Sequence, residues 1–329
     1  MNFSPRGRFS ILDFRFRPQS KTCPERSRRF QNLKSKILSY GRLIRFSHTV
    51  FALPFALSSV ALAWPAHPPT AGTLLWILVA MVGARSAAMG FNRLADRKFD
   101  ALNPRTSAWE LPQGTVKVSE AVLLTLVSSL VFIYAAYRLN FLCFALSPLA
   151  LAIVFFYSLT KRFTWTSHLF LGLALSLAPV GAWLAVAGSP LDATELKTPL
   201  LLGLAVLFWL AGFDVIYSLQ DRTFDLAQGL YSIPARFGVA AALRLSSFLH
   251  LCTAIFLALV GLVAQLGIIY WLGFTAVAVI LFWEHRVVTS TDLSRINRAF
   301  FDFNAYISVG YFLITVGDIV LSASFGVGQ

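Results

Sequence analysis

Acidic residues are scarce in this chain: only 15 of its 329 residues are Asp or Glu, and charged residues of both signs make up 13%. A soluble globule of this length needs far more polar surface to cover itself. With 57% hydrophobic residues and a mean hydropathy of +0.68, the chain reads as an integral membrane protein. Cysteine is equally sparse. Cys23, Cys143 and Cys252 stand alone, with no CxxC and no metal-ligand spacing, which excludes a disulfide framework and a zinc site. Metal-type histidine pairs are missing as well: His67, His168, His250 and His285 are scattered near helix ends with no HExxH, and read as structural.

Positive charge is abundant by comparison, at 28 Lys and Arg for a formal net charge of +13. In a soluble protein that excess invites a nucleic-acid reading. Here 12 of the 28 lie before residue 46, so the charge is assigned to a flank facing anionic lipid, and no nucleic-acid partner is expected. Residues 1–41 form a basic tail, expected to be disordered and cytoplasmic; residues 42–329 form the membrane domain.

Long apolar windows recur through that domain. A bilayer core of about 30 Å needs roughly 20 apolar residues in a helix. Nine windows qualify, near 46–66, 72–92, 119–138, 140–158, 167–187, 198–219, 239–265, 267–284 and 300–322. The expected fold is an all-α polytopic membrane protein with nine transmembrane helices. Lys and Arg alternate between rich and poor connections: Arg93, Arg97, Lys98, Arg105 and Lys117 crowd 93–118, for example, whereas 67–71 has none. That alternation puts the N-terminus in the cytoplasm, together with the connections after residues 92 and 219.

The few acids are not spread evenly. Asp96, Asp100, Asp214, Asp221 and Asp225 are a third of the total, at or near those two cytoplasmic helix ends. Asn92, Asp96 and Asp100 are four apart, which places them on one helical face. The Asp-Arg-Lys-Phe-Asp of 96–100 is then nearly repeated as Asp-Arg-Thr-Phe-Asp at 221–225, again after an apolar segment. Carboxylates concentrated at a membrane boundary repel one another and lose solvation unless cations neutralise them. Two such pairs facing across a cavity suit Mg²⁺, a hard ion usually completed by phosphate oxygens; the proposed ligands are Asn92, Asp96, Asp100, Asp221 and Asp225. Arg85, Arg97, Arg105, Lys161, Arg162 and Arg222 supply the cationic complement, and together they describe a diphosphate clamp. In a lipid-facing protein the natural diphosphate ester carries a greasy chain. Its ionisation would leave an allylic cation, which the faces of Phe91, Tyr157, Tyr217 and Tyr231 could shield. Asp214 lies about two turns inside the sixth span, as a ligand or as a partner of Lys161 or an Arg.

At these residues the chain resembles the UbiA family of intramembrane prenyltransferases. Asn92–Asp100 matches an NxxxDxxxD pattern, and Asp214-x-x-Tyr217-x-x-x-Asp221-x-x-x-Asp225 resembles that family's second aspartate motif. Asn103-Pro-Arg-Thr106, Leu111-Pro-Gln-Gly114 and Tyr157-Ser-Leu-Thr-Lys161-Arg162 are similar to its loop and to the basic end of its fourth helix. The likeness covers nearly all of 42–325. It implies a helical bundle around a central cavity open to the cytoplasm and to lipid, and Mg²⁺-dependent transfer of a polyprenyl group from its diphosphate to an aromatic ring carbon. It implies catalytic roles for Asp96, Asp100, Asp221, Asp225 and Lys161, and substrate contacts from Arg85, Arg97, Arg105, Arg162, Tyr157, Asp214, Tyr217 and Arg222.

The sequence is most similar to members acting on 4-hydroxybenzoate and their relatives in ubiquinone or menaquinone synthesis, and the segments His48–Phe55 and Gly83–Met89 resemble that broader group. A dihydroxynaphthoate acceptor is the alternative within the same chemistry. One departure stands out: where many relatives carry an Arg in the loop, this chain has Ala108-Trp109-Glu110. From another class, a transporter using the intramembrane charges competes, although its acids would belong near the bilayer midplane. No protein partner is evident.

Overall fold

A computed structural model describes residues 39–43, 49–188, 192–289, 292–293, 296 and 299–325. The basic tail lies outside the described residues except for 39–41, as do His48, Arg295 and Arg298. Among the described residues there is no strand. The main helices are α1 (Thr49–Ala63), α2 (Ala71–Leu102), α3 (Val118–Leu139), α4 (Phe141–Thr160), α5 (Ser167–Ala187) and α6 (Lys197–Ser218), followed by the short α7 (Arg222–Gln228) and α8 (Ile233–Phe237). Then come α9 (Val239–Val263), α10 (Ile268–Val287) and α11 (Asn304–Phe325).

Eight helical stretches are long and apolar enough to cross a membrane. The expected first span, 46–66, is represented by α1 alone, whose 15 residues reach only about 22 Å against a core of about 30 Å. The other eight windows coincide with helices, to within a few residues except that α2 runs on from its window, 72–92, to Leu102, and the chain is an integral membrane protein.

Local chemistry sets the boundaries. Thr70 caps α2 by accepting the Thr73 N–H at 3.1 Å. Asn140 ends α3 and starts α4: its Oδ1 accepts the Cys143 N–H at 2.8 Å, and its Nδ2 donates to Leu184 O on α5 at 2.8 Å. A polar side chain at a helix junction in lipid thereby satisfies groups that no water would reach.

The helices α2 to α6 pack in sequence order, α9 to α11 continue from the back of α6, and α1 closes the circuit by lying against both α5 and α11. The two halves differ in side-chain size. On the α1, α6, α10 and α11 side, Phe51, Phe55, Trp209, Phe213, Tyr270 and Tyr311 fill the interior, with Phe55 and Trp209 at a ring-centroid distance of 4.9 Å. Between α2 and α6 small residues, including Ala84, Ala88, Ala150, Ala174, Ala178 and Ala182, are spread among the facing side chains, and a cavity of about 550 Å³ remains. Every residue lining it falls between 51 and 230, so α9, α10 and α11 buttress the cavity wall and do not form it.

One glycine controls the spacing of the cavity helices. A side chain at Gly172 on α5 would collide with the Leu207 carbonyl of α6, a backbone atom that cannot move aside. Glycine there lets α5 and α6 approach closely, one turn from His168.

Candidate active site

The cavity runs from the carboxylates down past Ile77 of α2. Asp96 and Ile77 are 19 residues apart on one continuous helix, or about 28 Å at the usual rise. The space is therefore a cavity of nearly membrane depth, polar at its mouth and apolar toward its floor.

Helix α2 stays helical through the whole first motif, so Asn92, Asp96 and Asp100 line one wall as their spacing predicts. The second motif is less regular. Helix α6 stops at Ser218, a tight 3-10 turn covers Leu219–Asp221, and α7 begins at Arg222. Asp214, Asp221 and Asp225 thus come from three successive elements, yet all three line the same cavity.

Protein cations meet four of these carboxylates. Arg105 holds Asp221 with both arms, Nη2 to Oδ2 at 2.6 Å and Nε to Oδ1 at 2.8 Å, while Asn103 Nδ2 donates to Oδ1 at 3.0 Å. Lys161 Nζ lies 3.8 Å from Asp225 Oδ2, and Arg162 Nη2 lies 3.3 Å from Asp96 Oδ1. Arg93 Nη1 lies 3.6 Å from Asp100 Oδ2. Asn92 Nδ2 donates to Asp96 at 3.1 Å.

Two of these cations report on both motifs. Burial works against the Arg105 charge, but hydrogen bonds and charge from Asp221, with Tyr217 and Asp100 adding, raise its pKa above the usual guanidinium value. For Lys161, burial is again outweighed, here by the charges of Asp225, Asp214, Asp221 and Asp96, and the ammonium pKa is raised. One lysine within the field of carboxylates from both motifs means that the two share one mouth.

The expected residues do not all converge. Arg85 lines the cavity about 10 Å deeper than Asn92, two turns down α2. Tyr157 and Tyr217 line it too, the latter accepting from Arg105 Nη1 at 3.2 Å. Arg97 and Arg222 are not in the cavity wall. Each follows a motif aspartate by one residue, which turns it some 100° away; Arg97 is exposed and Arg222 donates to Pro234 O at 3.0 Å. Phe91 stacks on Phe155 and, like Tyr231, is absent from the wall. His168, read as structural, holds Asp214 at 2.7 Å, where Lys161 or an Arg was the expected partner.

Sequence reasoning passed over Arg93 and Trp109. Arg93 is 6% exposed, lines the cavity and lies over the Trp109 ring at 3.7 Å, with Arg105 at 5.7 Å from the same ring. Trp109 keeps two like-charged guanidiniums together by offering both its ring. Arg93 was findable, because residues 93, 96 and 100 share a helical face. Trp109→Ala is expected to raise the KM for the diphosphate substrate about tenfold, roughly the value of a desolvated cation–π contact, with little change in kcat. Steady-state kinetics with varied diphosphate check this.

Asp100 Oδ2 and Asp225 Oδ2 are buried and accept no hydrogen bond from the described residues, a state that suits a hard cation. Among the described residues no three His, Cys, Asp or Glu cluster closely enough to hold a metal unaided. A wholly oxygen donor set from Asn92 and the aspartates matches magnesium's preference and not zinc's.

Comparison with known proteins gives the family. The model of the UbiA prenyltransferase family matches residues 52–308. The chain belongs to the UbiA prenyltransferase family. It is 34% identical over 278 residues to the 4-hydroxybenzoate octaprenyltransferase of Methylobacillus flagellatus, covering 82% of this chain and 90% of that one. With the protein of the same name from Cronobacter sakazakii it shares 30% over 285 residues, 85% of this chain and 95% of the other. Among solved structures, the apo form of a UbiA homolog from Aeropyrum pernix K1 superposes with a TM-score of 0.75 at 32% identity, covering 84% of this chain and 98% of that one. A UbiA homolog from Archaeoglobus fulgidus bound to DMAPP and Mg²⁺ shares the fold, with a TM-score of 0.63, 20% identity and coverage of 85% and 99%. This UbiA chain is accordingly an enzyme of prenyl transfer embedded in the membrane.

Proposed function

We propose that the protein transfers a polyprenyl group from polyprenyl diphosphate to a ring carbon of an aromatic acid of the 4-hydroxybenzoate type, using Mg²⁺. The observation that carries this reading is the single cavity, about 28 Å deep, with an anionic and cationic mouth and an apolar lower part, a shape that fits a diphosphate with a long chain below it. The names of the bacterial relatives support the acceptor, and the Archaeoglobus protein's bound DMAPP and Mg²⁺ support donor and metal.

In this reading Asn92, Asp96, Asp100, Asp221 and Asp225 hold Mg²⁺ together with the diphosphate, and the metal offsets leaving-group charge when bound. Arg105, Arg93, Lys161 and Arg162 turn from the aspartates toward the phosphate oxygens of a bound diphosphate. Tyr157 and Tyr217 present ring faces and exclude water from the reacting carbon. Arg85, below the motifs, is placed for the acceptor carboxylate or the inner phosphate. The protein is assigned to the cytoplasmic (inner) membrane, with its N-terminus and mouth on the cytoplasmic side, where Lys and Arg concentrate.

Membranes containing the protein, supplied with radiolabelled polyprenyl diphosphate and either 4-hydroxybenzoate or dihydroxynaphthoate, test the reading. Prenylated 4-hydroxybenzoate and pyrophosphate are expected, both abolished by EDTA and restored by excess Mg²⁺. Product only with dihydroxynaphthoate would transfer the assignment to that acceptor, and uptake into vesicles without pyrophosphate release would replace it with transport.

A further inference from the structure

Four of the five cavity aspartates face a cation, and the fifth is held by something else. Asp214 Oδ2 lies 2.7 Å from His168 Nδ1, and among the described residues this is its only hydrogen bond. His168 projects from α5 and is fully buried. Its other nitrogen, Nε2, lies 3.4 Å from the backbone N of Ile233 at the start of α8. A backbone N–H can only donate, so Nε2 is the bare nitrogen and Nδ1 carries the hydrogen that Asp214 accepts. An imidazole in this form is neutral; it fixes the direction of the carboxylate and leaves its charge intact. Lys161 feels Asp214, but its own contact is Asp225.

Prenyl transfer to an aromatic ring requires such a group. The C1–O bond of the donor breaks and its electron pair leaves with the diphosphate. A pair of ring electrons then forms the new C–C bond, and the attacked carbon carries both hydrogen and prenyl. Aromaticity returns only when that C–H pair falls back into the ring and the proton goes to a base. A carboxylate clasped by guanidinium or committed to a metal is a weak proton acceptor. We propose that Asp214 is the carboxylate that takes the ring proton, and that His168 is the positioning residue that aims it. From Asp214 the proton leaves through the polar mouth, so charge and atoms balance with no further reactant. The assignment rests on the prenyl-transfer reading. Gly172 supports the arrangement, since the close approach of α5 to α6 that it permits lets His168 reach across.

The test uses the full-length enzyme in membranes with 4-hydroxybenzoate either unlabelled or deuterated at the two ring positions beside the hydroxyl, following pyrophosphate, free prenol and prenylated acid together. The wild type is expected to show no primary isotope effect, because proton loss follows a slower ionisation. In Asp214→Asn, prenylated acid falls by about 10² or more, the usual worth of a positioned base. Pyrophosphate release falls less, and the difference appears as prenol. In His168→Gln the acid forms more slowly and a primary isotope effect emerges, which a purely structural role would not produce. Asp214→Asn is nearly isosteric, so it remains informative if the buried His168 variant fails to fold.

Full product formation by Asp214→Asn, or an equal fall in pyrophosphate and product with no isotope effect in either variant, overturns the proposal and leaves the departing diphosphate as the base. If wild type releases no metal-dependent pyrophosphate with any aromatic acid, prenyl transfer itself fails and the proposal fails with it. That outcome is distinguishable because it precedes any variant.

Discussion

Asp221→Asn is expected to lower prenyl transfer by about 10² to 10³ at saturating Mg²⁺, the loss typical of removing one preorganised charge contact from a reacting site. Asp221 is 6% exposed and is gripped from one loop by two contacts from Arg105 and one from Asn103. Those residues belong to the loop after α2, so Asp221 ties that loop to the turn after α6, in addition to the diphosphate and metal role proposed for it. Asparagine keeps the volume. It removes the charge and one acceptor, leaving Arg105 without the carboxylate that holds its fork. Initial rates of pyrophosphate release, set beside an unchanged elution profile in detergent, measure the effect. Turnover within tenfold of wild type would show that the second motif does not carry the chemistry.

How much of this site could be read from the sequence depends on how local each signal is. Asn92, Asp96 and Asp100 were legible because α2 remains one helix, so a four-residue spacing translates directly into a shared face. The second motif was legible by its likeness to the first, although its helix breaks at Ser218 and the spacing alone would have implied a continuous turn. Arg97 and Arg222 were drawn in by proximity to their aspartates, where helical phase turns them outward. The pairings were out of reach. Arg105 and Asp221 are 116 residues apart, and His168 and Asp214 are 46 apart, so no periodicity connects them. The same holds for Trp109, whose ring gathers two cations in space that the chain does not mark as a pair.

Lys161→Met is expected to combine a loss of transfer of about 10² or more with a measurable loss of stability, because it removes the contact proposed for the diphosphate and also takes the lysine from Asp225. The Asp225 side chain is 2% exposed, with that of Lys161 at 36%. Removing one member of a buried pair costs about 3 to 5 kcal/mol, and the open side of the lysine brings the expectation to about 2 kcal/mol. The pH dependence has a definite sign. The folded pKa of Lys161 lies above its ordinary 10.5, so the contribution of its charge is complete below that value and declines only as pH rises through the folded one. Between about pH 6 and 9 the difference in thermal midpoint between wild type and Lys161→Met should therefore be flat with respect to this group. Lys161→Arg keeps the charge and should recover most of the stability, yet less of the rate, since a planar fork presents its donors to phosphate differently from a compact ammonium. Equal recovery of both would make Lys161 only a neutralising anchor. Recovery of stability without rate places the ammonium itself at the diphosphate.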